Sequence, residues 1–238
     1  MTPVLRFMDQ QHEAENATSF LFQPDSPLTF RAGQYLRYTL PHADPDTRGI
    51  SRSFSIASSP DEPLLRLTTR LSTPPSTFKA ALARLQPGAI VDASGPFGNF
   101  VYSESDEPVV FIAGGIGITP MRSILGDLAS RQVRTRSTLL YSSTTQDIPF
   151  RTWLDALATD WPELRVIYTV TRPGAEWNGL TGRIDAAFVQ RHVPDVARSL
   201  CLVSGPTPLV DSMRATLADT GVDPGRVKYE AFPGYHVS

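Results

Sequence analysis

One stretch of this chain has the residue types and spacing to bind a phosphate: Val109-Val-Phe-Ile-Ala-Gly-Gly-Ile-Gly-Ile-Thr-Pro120-Met-Arg. An apolar run that reads as a buried strand leads into Gly114, Gly115 and Gly117. Thr119 then stands in N-cap position, with Pro120 in the first helical turn. Glycines let the backbone approach a phosphate closely, and the free N–H groups and dipole of a helix start favour an anion. Pro120 takes the place of the third glycine in G-x-G-x-x-G, so the match to that fingerprint is incomplete. The same residues would also suit a plain, tight strand–helix connection.

The other reactive residue types carry no such pattern. Only Lys79 and Lys228 are lysines among the 22 basic residues, so a single arginine points nowhere unless a motif surrounds it. His12, His42, His192 and His236 lack metal-ligand spacing and read as loop or surface histidines, so no metal is expected. Cys201 is the one cysteine and reads as a buried, inert thiol; it excludes a disulfide scaffold and a four-cysteine cluster. Trp153, Trp161 and Trp177 form no stacking series. With 24 acidic and 22 basic side chains the net charge is −2, against any nucleic-acid binder that works through a broad basic field. No apolar run reaches the length of a membrane span, and the N-terminus lacks an export-type apolar core. A cytoplasmic protein is expected.

The elements that must position the glycine loop fall into two kinds. Before residue 103, short runs rich in Phe, Tyr, Leu, Val and Thr recur between proline and glycine turns: 17–22, 34–40, 52–58, 64–71 and 89–94. That spacing predicts a small antiparallel barrel or sandwich, with one helix over 78–85 and Ser76 and Thr77 as its cap candidates. After Tyr102, apolar runs at 108–113, 137–141, 164–170, 200–203 and 226–230 alternate with helical segments at 120–130, 150–158, 183–191 and 208–219. Five strands and four crossovers predict a doubly wound parallel sheet. The acidic segment Ser103–Glu107 marks the boundary, giving domains 1–103 and 104–238.

Read together, four motifs in order resemble the ferredoxin–NAD(P) reductase family over nearly the whole chain. They are Arg52-Ser53-Phe54-Ser55, Gly95-Pro96-Phe97-Gly98, the Gly114–Pro120 loop, and Ser204-Gly205-Pro206 with a terminal Glu230-Ala231-Phe232. The resemblance implies an N-terminal six-stranded flavin-binding barrel and a C-terminal five-stranded nicotinamide-dinucleotide domain. It implies FAD, with FMN less favoured, and NAD(P)H as substrate. Electrons would pass to a separate ferredoxin, flavodoxin or oxygenase component, and the protein would be a monomer. The alternatives are an NAD(P)H:flavin reductase that releases reduced flavin, and a non-catalytic module on the same fold.

The resemblance also assigns residues. Arg52 would pair with the FAD pyrophosphate, Ser53 and Phe54 would lie along the flavin, and Ser55 would sit by flavin N5. Ser76 and Thr77 would give a second phosphate contact, Thr68 and Thr69 would pass beside the ring, and Thr119 would approach it from the glycine loop. Gly114, Gly115, Gly117, Thr119, Pro120, Ser204, Gly205 and Pro206 would hold the dinucleotide. Thr171 and Arg172 stand where relatives that use NADP read the 2′-phosphate. Ser55, Ser204 and Glu230 would converge at the hydride-transfer pocket, and Phe232 or Tyr235 would cover the flavin. Ser204 replaces the family's usual cysteine, and the chain continues past Phe232, where many members end.

Overall fold

The computed structural model describes residues 3–233. Two compact units form: the chain up to Tyr102 together with Arg122–Ser130, and Ser103–Met121 together with the chain from Arg131 onward.

The first unit contains six antiparallel strands: β1 (Val4–Ala14), β2 (Ala17–Pro24), β3 (Tyr35–Thr39), β4 (Ser51–Ser55), β5 (Leu65–Arg70) and β6 (Ile90–Phe97). Their spatial order is β4-β3-β6-β1-β2-β5. The bridge between Ile56 and Leu67 brings the two outer strands together, as does the Ala57 N–H donating to the Arg66 carbonyl at 2.8 Å. The sheet therefore closes into a barrel. Alternation directs Phe20, Phe22, Leu36, Tyr38 and Val91 inward, where they form one core with Phe7 and Ile56. Helix α1 (Thr77–Leu82) adds Phe78 and Leu82 to that core. Its N-cap is Ser76, whose hydroxyl accepts from the Lys79 N–H. Strand β1 has no counterpart among the runs picked out from the sequence. Only its first half alternates, and beyond Phe7 it runs Met-Asp-Gln-Gln-His along an exposed surface, with two register shifts against β2.

The second unit contains six parallel strands: β7 (Val109–Gly114), β8 (Ser137–Ser143), β9 (Leu164–Val170), β10 (Leu180–Thr181), β11 (Leu200–Pro206) and β12 (Val227–Phe232). The order is β10-β9-β8-β7-β11-β12. The expected five strands become six, because β10 adds a two-residue edge beside β9. So short a strand carries no period for a sequence to show. The helices are α2 (Ile118–Ser130), α3 (Arg151–Asp160), α4 (Ala186–His192) and α5 (Thr207–Asp219). All of β7 is buried, as expected of a strand covered on both faces. The chain winds outward from β7 in both directions, so strand order reverses between β7 and β11. Ligands of such sheets bind at the carboxyl edge at that reversal.

The acidic segment and helix α2 lie where the chain passes between the units. The acidic segment is tied into the second unit: Glu104 pairs with Arg131, and Glu107 accepts from Arg226 at 2.6 Å. Helix α2 is divided, with Arg122–Ser130 grouped with the barrel unit. Among the described residues no helix is long and apolar enough to cross a membrane.

Candidate functional site

In the first unit, two motifs 25 positions apart meet. Strand β4 puts Arg52 and Phe54 on one face and Ser53 and Ser55 on the other. Phe54 packs its ring against Tyr38 and Phe78, with centroids 5.9 Å away in each case, while Ser53 is exposed and Ser55 buried. The Arg52 guanidinium lies 5.5 Å from the centroid of the Phe78 ring, the residue next to Thr77. Its Nη1 donates to the carbonyls of Arg48, Gly49 and Ser51 at 3.0, 2.8 and 2.7 Å. Its Nη2 donates to Asp46 Oδ1 at 2.6 Å. Only 13% of this side chain is exposed.

Thr77 belongs to the same cluster. Its Oγ1 accepts from the Asp46 backbone N–H at 3.1 Å and lies 3.1 Å from His42 Nε2. The other ring nitrogen, Nδ1, lies 2.7 Å from the Leu40 carbonyl, which can only accept. In the neutral ring Nδ1 therefore carries the proton, and Nε2 accepts from the Thr77 hydroxyl. The Arg48 side chain and backbone N–H donate to Asp46 at 3.0 and 2.9 Å. The Arg48 side chain first, and then its N–H and Arg52, hold the Asp46 carboxyl down at about 2. Sequence reasoning missed Asp46 and gave His42 no partner. The available signal was local: Asp46 stands two residues before Arg48 in a proline- and glycine-punctuated loop.

Thr68 and Thr69 are both buried on β5. The Thr68 hydroxyl lies 2.7 Å from Ser19, which in turn donates to Glu13 at 2.6 Å. The segment that follows Ser55 is pinned by the first turns of α2. Arg122, buried at 6% exposure, donates to the Ala57 carbonyl at 2.6 Å and to both Glu62 carboxylate oxygens at 2.7 and 3.3 Å. Ser123 donates to the Ser58 carbonyl at 2.6 Å. Arg122 is one arginine among twenty, and nothing in its local sequence announces this role.

In the second unit, the glycine loop and the Ser204-Gly-Pro motif interlock. After β7 the chain makes a single 3₁₀ turn, Gly115–Gly117, with Gly115 in the left-handed region at φ 53°. A β-carbon on Gly117 would run into the Ser204 carbonyl and come within 2.6 Å of the Gly205 Cα. One on Gly114 would lie 2.7 Å from Leu209 Cδ1. Gly117, facing backbone, is thus required by the protein's own packing, whereas at Gly114 the leucine side chain can shift; the sequence suggested only close approach to a ligand. Helix α2 begins at Ile118, so Thr119 lies inside its first turn and is not the N-cap. Its hydroxyl donates to the Ile116 carbonyl at 3.0 Å. Pro120 follows in the first turn, as expected. The buried Tyr141 on β8 donates to the Gly115 carbonyl at 3.0 Å and fixes the turn from below.

Register places the candidate dinucleotide residues on one edge. Ser204 pairs with Ala113 of β7 on one side and with Glu230 of β12 on the other. Gly205 and Pro206 pair with Ala231 and Phe232. Ser204 is fully buried and its hydroxyl has no hydrogen-bond partner among the described residues. An unmatched buried hydroxyl at the strand-order reversal fits a polar ligand group there. Thr171 and Arg172 follow β9 with their N–H groups on the Ser143 and Thr144 carbonyls at 3.0 and 2.8 Å, and the Arg172 side chain is exposed. Cys201 is buried within β11, and burial pushes its thiol up to about 12, which fits an inert role. Tyr235 and His236 lie outside the described residues. Among the described residues no cluster could hold a metal ion.

Comparison with known proteins identifies the family. The family described as oxidoreductase NAD-binding domain matches residues 111–215, from within β7 into α5. Ferredoxin–NADP reductase B of Sorangium cellulosum is 36% identical over 186 residues, covering 76% of this chain and 72% of the relative. Reductase component 2 of terephthalate 1,2-dioxygenase from Comamonas sp. is 32% identical over 197 residues. That match covers 81% of this chain but only 56% of the longer relative. The fold matches the FAD/NAD-binding domain of a Vibrio cholerae nitric oxide dioxygenase with a TM-score of 0.86 at 23% identity, covering 97% and 98% of the two chains. The chain belongs to the ferredoxin–NAD(P) reductase family of FAD- and NAD(P)H-binding flavoprotein reductases. It is an NAD(P)H-dependent oxidoreductase.

Proposed function

We propose that this protein passes electrons from NAD(P)H through bound FAD to a separate acceptor: a ferredoxin, a flavodoxin or an oxygenase component. The observation that carries the reading is the meeting of Arg52 and Thr77 in one cluster, beside the Phe54 strand. A guanidinium fork is suited to two phosphate oxygens. The flavin, when bound, supplies the redox chemistry: it accepts hydride from the nicotinamide and yields electrons onward. In this reading Arg52 holds the pyrophosphate with Ser76 and Thr77, and Ser53, Phe54, Ser55, Thr68 and Thr69 line the flavin. The Gly114–Pro120 loop with Gly205 and Pro206 seats the dinucleotide. Ser204 offers its unmatched hydroxyl to the nicotinamide end, Glu230 stands beside it in register, and Phe232 lies two residues further along. Arg172, with Thr171, reads a 2′-phosphate. The protein works as a monomer in the cytoplasm, where its NAD(P)H supply is found.

The purified protein should show flavin absorption in the visible. Anaerobic NADH or NADPH should bleach that absorption, and a ferredoxin-type acceptor should restore it. A flavin that stays oxidised under excess of both dinucleotides would overturn the reading. One observation favours a second reading, a flavin reductase that releases its product: Asp46 already sits on Arg52. Loss of flavin on gel filtration, with saturable turnover of added flavin, would mark it.

A further inference from the structure

Two of the residues assigned to the flavin phosphates, Arg52 and Thr77, are engaged by one loop of the barrel unit. Residues 40–49 turn back over β4 and the start of α1. The Asp46 carboxylate accepts from Nη2 of Arg52 at 2.6 Å, and His42 Nε2 accepts from the Thr77 hydroxyl at 3.1 Å. The remaining terminal nitrogen, Nη1, is engaged by three backbone carbonyls. The carboxylate is itself secured, because Arg48 donates to it through both side chain and backbone. A carboxylate and a phosphate present the same pair of anionic acceptors to a guanidinium fork. A phosphate oxygen at Nη2 must share that nitrogen with Asp46, and the carboxylate beside it repels the incoming anion.

We infer that Asp46 is a built-in competitor for the flavin phosphate. It lowers affinity for FAD and FMN relative to riboflavin, which carries no phosphate, and so sets how readily the cofactor exchanges. The inference rests on the proposed role of Arg52. Asp46→Asn keeps the side-chain shape and a hydrogen-bond acceptor but removes the competing charge. Asp46→Glu keeps the charge.

The test is titration of the full, flavin-stripped chain with FAD, FMN and riboflavin, following flavin fluorescence. Asp46→Asn should tighten FAD and FMN by about tenfold, the scale of one charge-assisted contact. It should leave riboflavin within about twofold, which also reports an intact barrel. Asp46→Glu should keep the wild-type preference. An Asp46→Asn variant that leaves FAD unchanged, weakens it, or shifts all three flavins equally overturns the inference. Arg52→Ala in the same titration separates the two levels. If it fails to weaken FAD relative to riboflavin, the phosphate role of Arg52 falls and this inference with it. If it weakens FAD while Asp46→Asn tightens nothing, only the competitor role falls.

Discussion

The two units build their candidate binding residues by opposite means. In the barrel unit long charged side chains do the joining: Arg52 against Asp46 and, across 60 positions of the chain, Arg122 against Glu62. In the parallel-sheet unit the joining is done by backbone brought so close that only glycine fits, with Gly117 on the Ser204 carbonyl and Gly205 on Gly114. Side-chain ion pairs can be re-partnered, so a ligand can compete for them and one charge can tune them. Backbone contact between a 3₁₀ turn and a strand end has no slack. The first kind of site can trade partners; the second is set once the sheet has formed.

That contrast can be broken most severely at Arg122. Arg122→Ala strands the Glu62 carboxylate and frees the Ala57 carbonyl, and should cost about 3 kcal/mol in chemical denaturation. Glu62→Gln, which keeps most hydrogen bonds, should cost less. Equal, small losses would show that the pair does not rivet the segment after Ser55. In the other unit, Gly117→Ala should cost about 2 kcal/mol by overpacking. It should also weaken NAD(P)H binding while leaving flavin binding intact, and equal losses for both ligands would erase the distinction between the units.

A smaller effect is expected at Arg172. Its side chain is exposed, so Arg172→Ala should raise KM for NADPH and leave that for NADH nearly unchanged. Unaltered NADPH kinetics would retire the 2′-phosphate role. The smallest effect concerns acid. Asp46 has its folded pKa lowered to about 2, so its stabilising effect is present above the ordinary carboxylate range and is lost as pH falls from about 4 towards 2. Wild type and Asp46→Asn should therefore converge in stability at the acid end and differ slightly at neutral pH. A gap that widens in acid would contradict the assignment.

Sequence by itself determined the order of the two architectures and most strand positions. Period-two alternation and continuous apolar runs are written locally, residue by residue, and β9 spans the same residues in sequence and structure. It also singled out Arg52, Thr77, the glycine loop and Ser204, because motifs are local too. What it could not supply was who touches whom. Strand β1 escaped because half of it faces water, and β10 because two residues have no period. Asp46 and His42 read as ordinary loop residues until closure of the barrel put them on Arg52 and Thr77. Arg122 sits within the glycine-loop motif, yet it forms its ion pair with the barrel unit. Gly117 looked like a phosphate glycine, and only the register of β7 beside β11 shows that the Ser204 carbonyl excludes a side chain there. Apart from Asp46 with Arg52, six positions away, these contacts span tens of residues. Such contacts depend on strand order and closure, which local periodicity does not encode.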